Sequence, residues 1–189
     1  MSLTNNSAGS EVGCGDVLAL LADIERKAWR AAEQLPVLHQ QTTSWDGLIY
    51  RVGEVSVVTP LEDVAEILDH PPEMTMVPGI RPWVAGIANV RGNILPVIDM
   101  EAFFFDRPVK RGRRTRVLII RDDGGSIGLL VREVGGMRHF ARDARGPAVD
   151  PPASLSPYID AQFEAGRERF FVLNLRGLIG SAEFQMAAV

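Results

Sequence analysis

The chain has 189 residues, 46% of them apolar and 23% charged, with a formal net charge of −4. Such values suit one soluble domain or two small ones sharing a core, and the acidic balance argues against general nucleic-acid binding. The longest apolar run, residues 17–22, is far too short to span a bilayer and lacks signal-peptide flanks, and the single Cys14 excludes an internal disulfide. A reducing cytoplasm, with no direct membrane insertion, fits that usage.

Residues 1–15 are rich in Ser, Asn and Gly without apolar periodicity, and read as a disordered tail. An amphipathic helix is predicted over 16–36. Asp16 is its N-cap, Val17, Leu20, Leu21, Ile24, Ala28, Ala31 and Leu35 recur at three- and four-residue steps, and Pro36 ends it. That stripe suits either packing on the protein's own barrel or docking a partner.

From residue 48 onward the pattern turns to short strands. Residues 48–52 and 55–59 flank Gly53-Glu54, a two-residue hairpin signal, and 64–68 reads as a third strand. The apolar segment 84–90 ends in Asn-Val-Arg-Gly, and a strand carrying Pro96 follows and closes on Asp99, which with Glu101 reads as a helix start. Phe103, Phe104 and Phe105 on that helix point about 100° apart, so they cannot share one buried face. Two belong in the core, and another barrel, the N-terminal segment or a partner is expected to cover the third. Residues 115–121 and 126–132 form a hairpin around Asp122-Asp123-Gly124-Gly125, and 159–165 and 169–173 form another around Gly166. Residues 174–180 read as a short helix and 181–189 as a tail. The segments before and after about residue 106 each carry about five strands, which points to small barrels.

Catalytic chemistry finds little support. His39, His70 and His139 lie far apart with no metal-ligand spacing, Cys14 sits in the tail, and no nucleophile elbow, phosphate loop or dinucleotide fingerprint occurs. No enzyme, cofactor or metal is expected. Between Arg107 and Arg116 lie six cations (Arg107, Lys110, Arg111, Arg113, Arg114 and Arg116) and no acid. That run would suit a small-barrel nucleic-acid binder, but no aromatic interleaves with it as a stacking platform. A solvated connector facing an acidic partner or a membrane surface is the competing reading.

The most informative stretch is Gly86-x-x-Asn89-x-Arg91-Gly92-x-x-x-Pro96-Val97-x-Asp99. Gly92 gives a permissive turn, and Arg91 is a bidentate donor at its rim. Seven fixed positions at this spacing closely resemble the signature of the CheW family, the adaptor domain of bacterial chemosensory arrays, where it joins a short helix to a strand. The resemblance runs from about Leu48 to about Ile179. It implies two interlocked five-stranded barrels of SH3/OB type, dividing near 106 within a domain spanning 45–180. It also implies a non-catalytic adaptor, recruited to receptor arrays at the inner membrane. Its partners would be the cytoplasmic tip of a methyl-accepting chemoreceptor and the regulatory domain of a CheA-type histidine kinase.

By the same resemblance, Val64, Glu66, Ile67, Gly86, Arg91, Gly92 and Gly128 match partner-contacting positions. Val64 and Ile67 would supply the apolar centre of the interface, Arg91 its orientation and Glu66 a pair across the rim. The stretches Leu20–Arg26, Leu35-Pro36, Trp45-Asp46-Gly47, 78–84 and 135–140 further resemble the twitching-motility branch of the family, which serves type IV pili. A flagellar chemotaxis adaptor remains the alternative within it.

Overall fold

The computed structural model describes residues 44–69, 73–122 and 125–186. The expected tail and amphipathic helix, together with Cys14, His39, His70 and the tip of the Asp122-Asp123 turn, lie outside the described residues.

Eleven strands and three short α-helices are described. The described residues open with β1 (Ser44–Val52) and β2 (Val55–Pro60), which pair antiparallel across Gly53-Glu54. Gly53 takes φ +62°, the left-handed conformation a two-residue hairpin needs. Next come β3 (Val64–Asp69), β4 (Val84–Val90), β5 (Asn93–Asp99) and α1 (Met100–Phe105). The chain continues through β6 (Arg116–Asp122), β7 (Gly125–Val131), β8 (Glu133–Ala141), β9 (Arg145–Gly146), β10 (Ile159–Ala165) and β11 (Glu168–Leu173). It closes with α2 (Leu175–Ile179) and α3 (Ala182–Gln185).

The strands form two sheets, one ordered β8-β1-β2-β11-β10-β9 and the other β3-β6-β7-β5-β4. Two parallel contacts, β2 with β11 and β5 with β7, join pieces distant in sequence. The expected division near residue 106 is therefore not the division between sheets. β1 and β2 belong with β8–β11, and the smaller sheet takes β3 to β7, because the chain crosses out of the first sheet and returns to it. The first sheet also gains a sixth strand, the two-residue β9.

Both sheets curl. Phe140 on β8 stacks on Phe163 of β10 with ring centroids 4.4 Å apart, although four inter-strand steps separate these strands, about 19 Å in a flat sheet. Phe170, Ala161 and Val172 complete that interior, with Trp45 stacked on Phe163 at its edge. The smaller sheet wraps Ala88, Leu95, Val97, Val117, Ile119 and Leu130. The largest cluster lies between the two sheets, where Leu48, Tyr50, Val52 and Val57 of one meet Ile98, Leu118 and Leu129 of the other around Met100, Leu175 and Leu178.

Two expectations need correction, and one strand has no counterpart in the sequence reading. Residues 84–90 are a strand, so the signature spans a β4–β5 hairpin and not a helix–strand junction. The stretch 133–141 is a long strand, yet Gly135-Gly136 and exposed Met137, Arg138 and His139 erase the alternation that marks one. The segment 181–189 is not simply a tail: Ser181 caps α3 and Phe184 enters the main core. The three phenylalanines divide as geometry requires. Phe104 is buried, Phe103 meets Trp83 and Phe184 edge-on, and Phe105 packs against Gly53 of the other sheet beneath the Arg107 guanidinium.

Candidate partner-binding site

The β4–β5 hairpin builds the site. Val90 pairs with Asn93, leaving Arg91 and Gly92 as a two-residue turn with φ values of +53° and +86°. Positive φ at both positions is the type I′ geometry, whose twist matches the flanking strands. Asn89 stabilises the turn by accepting the Gly92 N–H at 2.9 Å. The Asn-x-Arg-Gly spacing is thus the chemistry of one turn, and it forces a non-glycine residue into the left-handed region with its long side chain outward.

That side chain does not hang free. Arg91 Nη2 lies 2.5 Å from Glu66 Oε1, with the arginine side chain 75% exposed and the glutamate 30%. Glu66 is on β3 and Arg91 adjoins β4, the two outer strands of the smaller sheet, so the pair clasps its two edges. Beneath it opens a cavity of about 130 Å³ lined in part by Leu95, Ile119 and Arg121. An exposed pair of this kind adds no more than about 1 kcal/mol to stability. Both groups therefore stay available to exchange partners.

The other expected residues separate into surface and support. Ile67 is 40% exposed on β3, close to Glu66 in the strand. Val64 is half-buried against the main core, so it offers less apolar surface than expected. Gly92 faces open space. Gly86 and Gly128 are buried and present nothing to a partner, which corrects their reading as contacts. A Cβ on Gly86 would sit 2.6 Å from the Thr75 carbonyl oxygen, and one on Gly128 would sit 2.9 Å from both Leu95 Cδ1 and Val117 Cγ1. Both glycines shape the hairpin's seat. The structure adds Ile94, 72% exposed beside the turn. Period-two alternation from inward-facing Leu95 and Val97 already implied that outward position.

Asp99 anchors the far end of the signature. Its Oδ1 accepts the Glu101 and Ala102 N–H groups at 3.0 Å, and its Oδ2 accepts the Val109 N–H at 2.8 Å. Burial raises its pKa, opposed by those three donors and helped by the Glu101 charge. Next to it, buried Glu101 meets Arg132 through two contacts of 2.9 and 3.1 Å, and Arg132 also reaches Glu54 of the β1–β2 turn. This three-residue bridge ties the two sheets together at one point.

The basic run is partly engaged internally: Arg107 lies over Phe105, Arg114 pairs with Glu133 at 3.2 Å, and Arg116 donates to the Arg113 and Thr115 carbonyls. Among the described residues no group of three potential metal ligands is found, and no helix is long and apolar enough to cross a membrane.

A CheW-like domain model matches residues 46–183, from β1 to the start of α3. The chain belongs to the CheW-like family. Among curated relatives, PilI of Pseudomonas aeruginosa is 37% identical over 145 residues, covering 76% of this chain and 81% of PilI. FrzA of Myxococcus xanthus is 26% identical over 141 residues, covering 74% of this chain and 88% of FrzA. The scaffolding protein TtCheW of Thermoanaerobacter tengcongensis shares the fold, with a TM-score of 0.66 at 19% identity over 77% of this chain and 99% of that one. Within this CheW-like chain, the signature residues are those that build the Arg91 turn, its seat and its Asp99 anchor.

Proposed function

We propose that this protein is a non-catalytic chemosensory adaptor, coupling the cytoplasmic tip of a methyl-accepting receptor to the regulatory domain of a CheA-type histidine kinase. We place it in a type IV pilus twitching-motility pathway, acting in the cytoplasm at receptor arrays on the inner membrane. The observation that carries the reading is the complete signature folded as a hairpin turn that displays Arg91 paired with Glu66, with exposed Ile94 two residues beyond Gly92. The identity with PilI directs it to the pilus branch.

The mechanism is geometric. A partner carboxylate displaces or shares the Glu66 contact with Arg91, while Ile94 loses water on docking. The receptor biases the kinase only through contacts that differ between signalling states, so the adaptor's rigidity is what transmits the difference. Individually modest contacts suffice because assembly into an array multiplies them.

The test is a pull-down of wild type and Arg91→Ala with the pilus-system kinase's regulatory domain and a receptor signalling hairpin, beside flagellar-system counterparts. Capture of a pilus partner, weakened by Arg91→Ala with the fold intact, is the expected result. Capture by the flagellar set alone would reassign the pathway, and capture by neither would refute the adaptor reading.

A further inference from the structure

The loop between α1 and β6 is fastened at both feet. Val109 is 5% exposed and its N–H is held by Asp99 at 2.8 Å. Thr115 is 1% exposed, its Oγ1 accepts the Gly112 N–H at 2.9 Å, and its own N–H returns to the Gly112 carbonyl at 3.1 Å. The Arg116 guanidinium adds hydrogen bonds to the Arg113 and Thr115 carbonyls. Between these feet stand Lys110, Arg111, Gly112, Arg113 and Arg114, all exposed. Arg114 is paired with Glu133, whereas Lys110, Arg111 and Arg113 make no ion pair among the described residues. Three cations thus stand on a preorganised loop in a chain whose net charge is −4.

The loop is a separate face from the signature turn. β6 leaves it at Arg116 and runs to Arg121, which lines the cavity under Arg91, a distance of about 17 Å along the strand. We propose that the 110–113 loop is a second docking surface, which takes a short acidic segment of another protein. A nucleic-acid strand fits less well: the nearest aromatic in sequence, Phe105, already carries the Arg107 guanidinium over its ring and offers no free platform for base stacking. A bilayer fits less well too, since the loop's apolar residue, Val109, points into the core and cannot insert. This inference rests on the loop's geometry and charge and does not depend on the adaptor reading.

The experiment measures fluorescence anisotropy of a labelled octaglutamate peptide with the full chain at about 20 mM and about 150 mM NaCl. Wild type is compared with Arg167→Gln, an exposed cation in the β10–β11 turn, and with the triple variant Lys110→Gln, Arg111→Gln, Arg113→Gln, whose fold is checked by circular dichroism. Oligothymidylate and phosphatidylglycerol vesicles serve as competing polyanions. The expected result is peptide binding that falls with salt, weakens about tenfold or more in the triple variant and changes little in Arg167→Gln. Absence of peptide binding at low salt, or equal binding by the triple variant, would overturn the proposal. So would tighter binding of the oligonucleotide or the vesicles.

Discussion

Replacing Arg132 with alanine would leave Glu101, only 2% exposed, without the guanidinium that meets both of its oxygens. A buried carboxylate that loses its partner keeps the desolvation cost of its charge while the attraction and both hydrogen bonds are gone, and breaking such a pair costs roughly 3–5 kcal/mol. Glu54 also loses a partner, but at 72% exposure it adds little. Urea unfolding should therefore show a loss of about 3–5 kcal/mol in Arg132→Ala, with little change in the slope against denaturant. Adding Glu101→Gln removes the stranded charge and should restore most of the difference. A loss below about 1 kcal/mol, or no recovery in the double variant, would refute the reasoning by showing that water takes the place of the guanidinium.

Two glycines of the signature should separate under the same treatment. Gly92→Ala meets open space and strains only the left-handed backbone, about 1–2 kcal/mol, whereas Gly86→Ala adds a Cβ 2.6 Å from the Thr75 carbonyl at φ +136° and should lose several kcal/mol or fail to fold. Thermal melts decide it, and equal losses would contradict the packing described. Asp99→Ala removes the cap of α1 and leaves the Val109 N–H unpaired, so a loss of about 2–4 kcal/mol is expected, with the 109–115 loop gaining hydrogen exchange first. Unchanged exchange at Val109 would show that Asp99 does not hold the loop.

Much of this protein was legible without coordinates, because much of it is local chemistry. The two-residue turns at Gly53-Glu54 and Arg91-Gly92 and the Asp99 helix cap all follow from residue types within four positions of one another. The seven-position signature carried the family for the same reason: its spacing encodes one turn, its seat and its anchor. The nature of the element entering that turn was not legible, since Val84–Val90 is a short apolar run that suits helix or strand equally. Strand β8 was hidden because two glycines and an exposed outer edge left no alternating face to detect.

The sequence by itself determined the turns, the caps, the mainly β composition and the outward placement of Arg91. Only the tertiary structure decided that β1 and β2 share a sheet with β8 to β11, that Arg91 meets Glu66 across the edges of the smaller sheet, and that Gly86 and Gly128 lie inside. Periodicity reports which face of a strand is apolar but not which distant strand will lie beside it. That pairing is settled by how the two curled sheets together bury Leu48, Tyr50, Leu118, Leu129 and their neighbours, a balance no local segment contains.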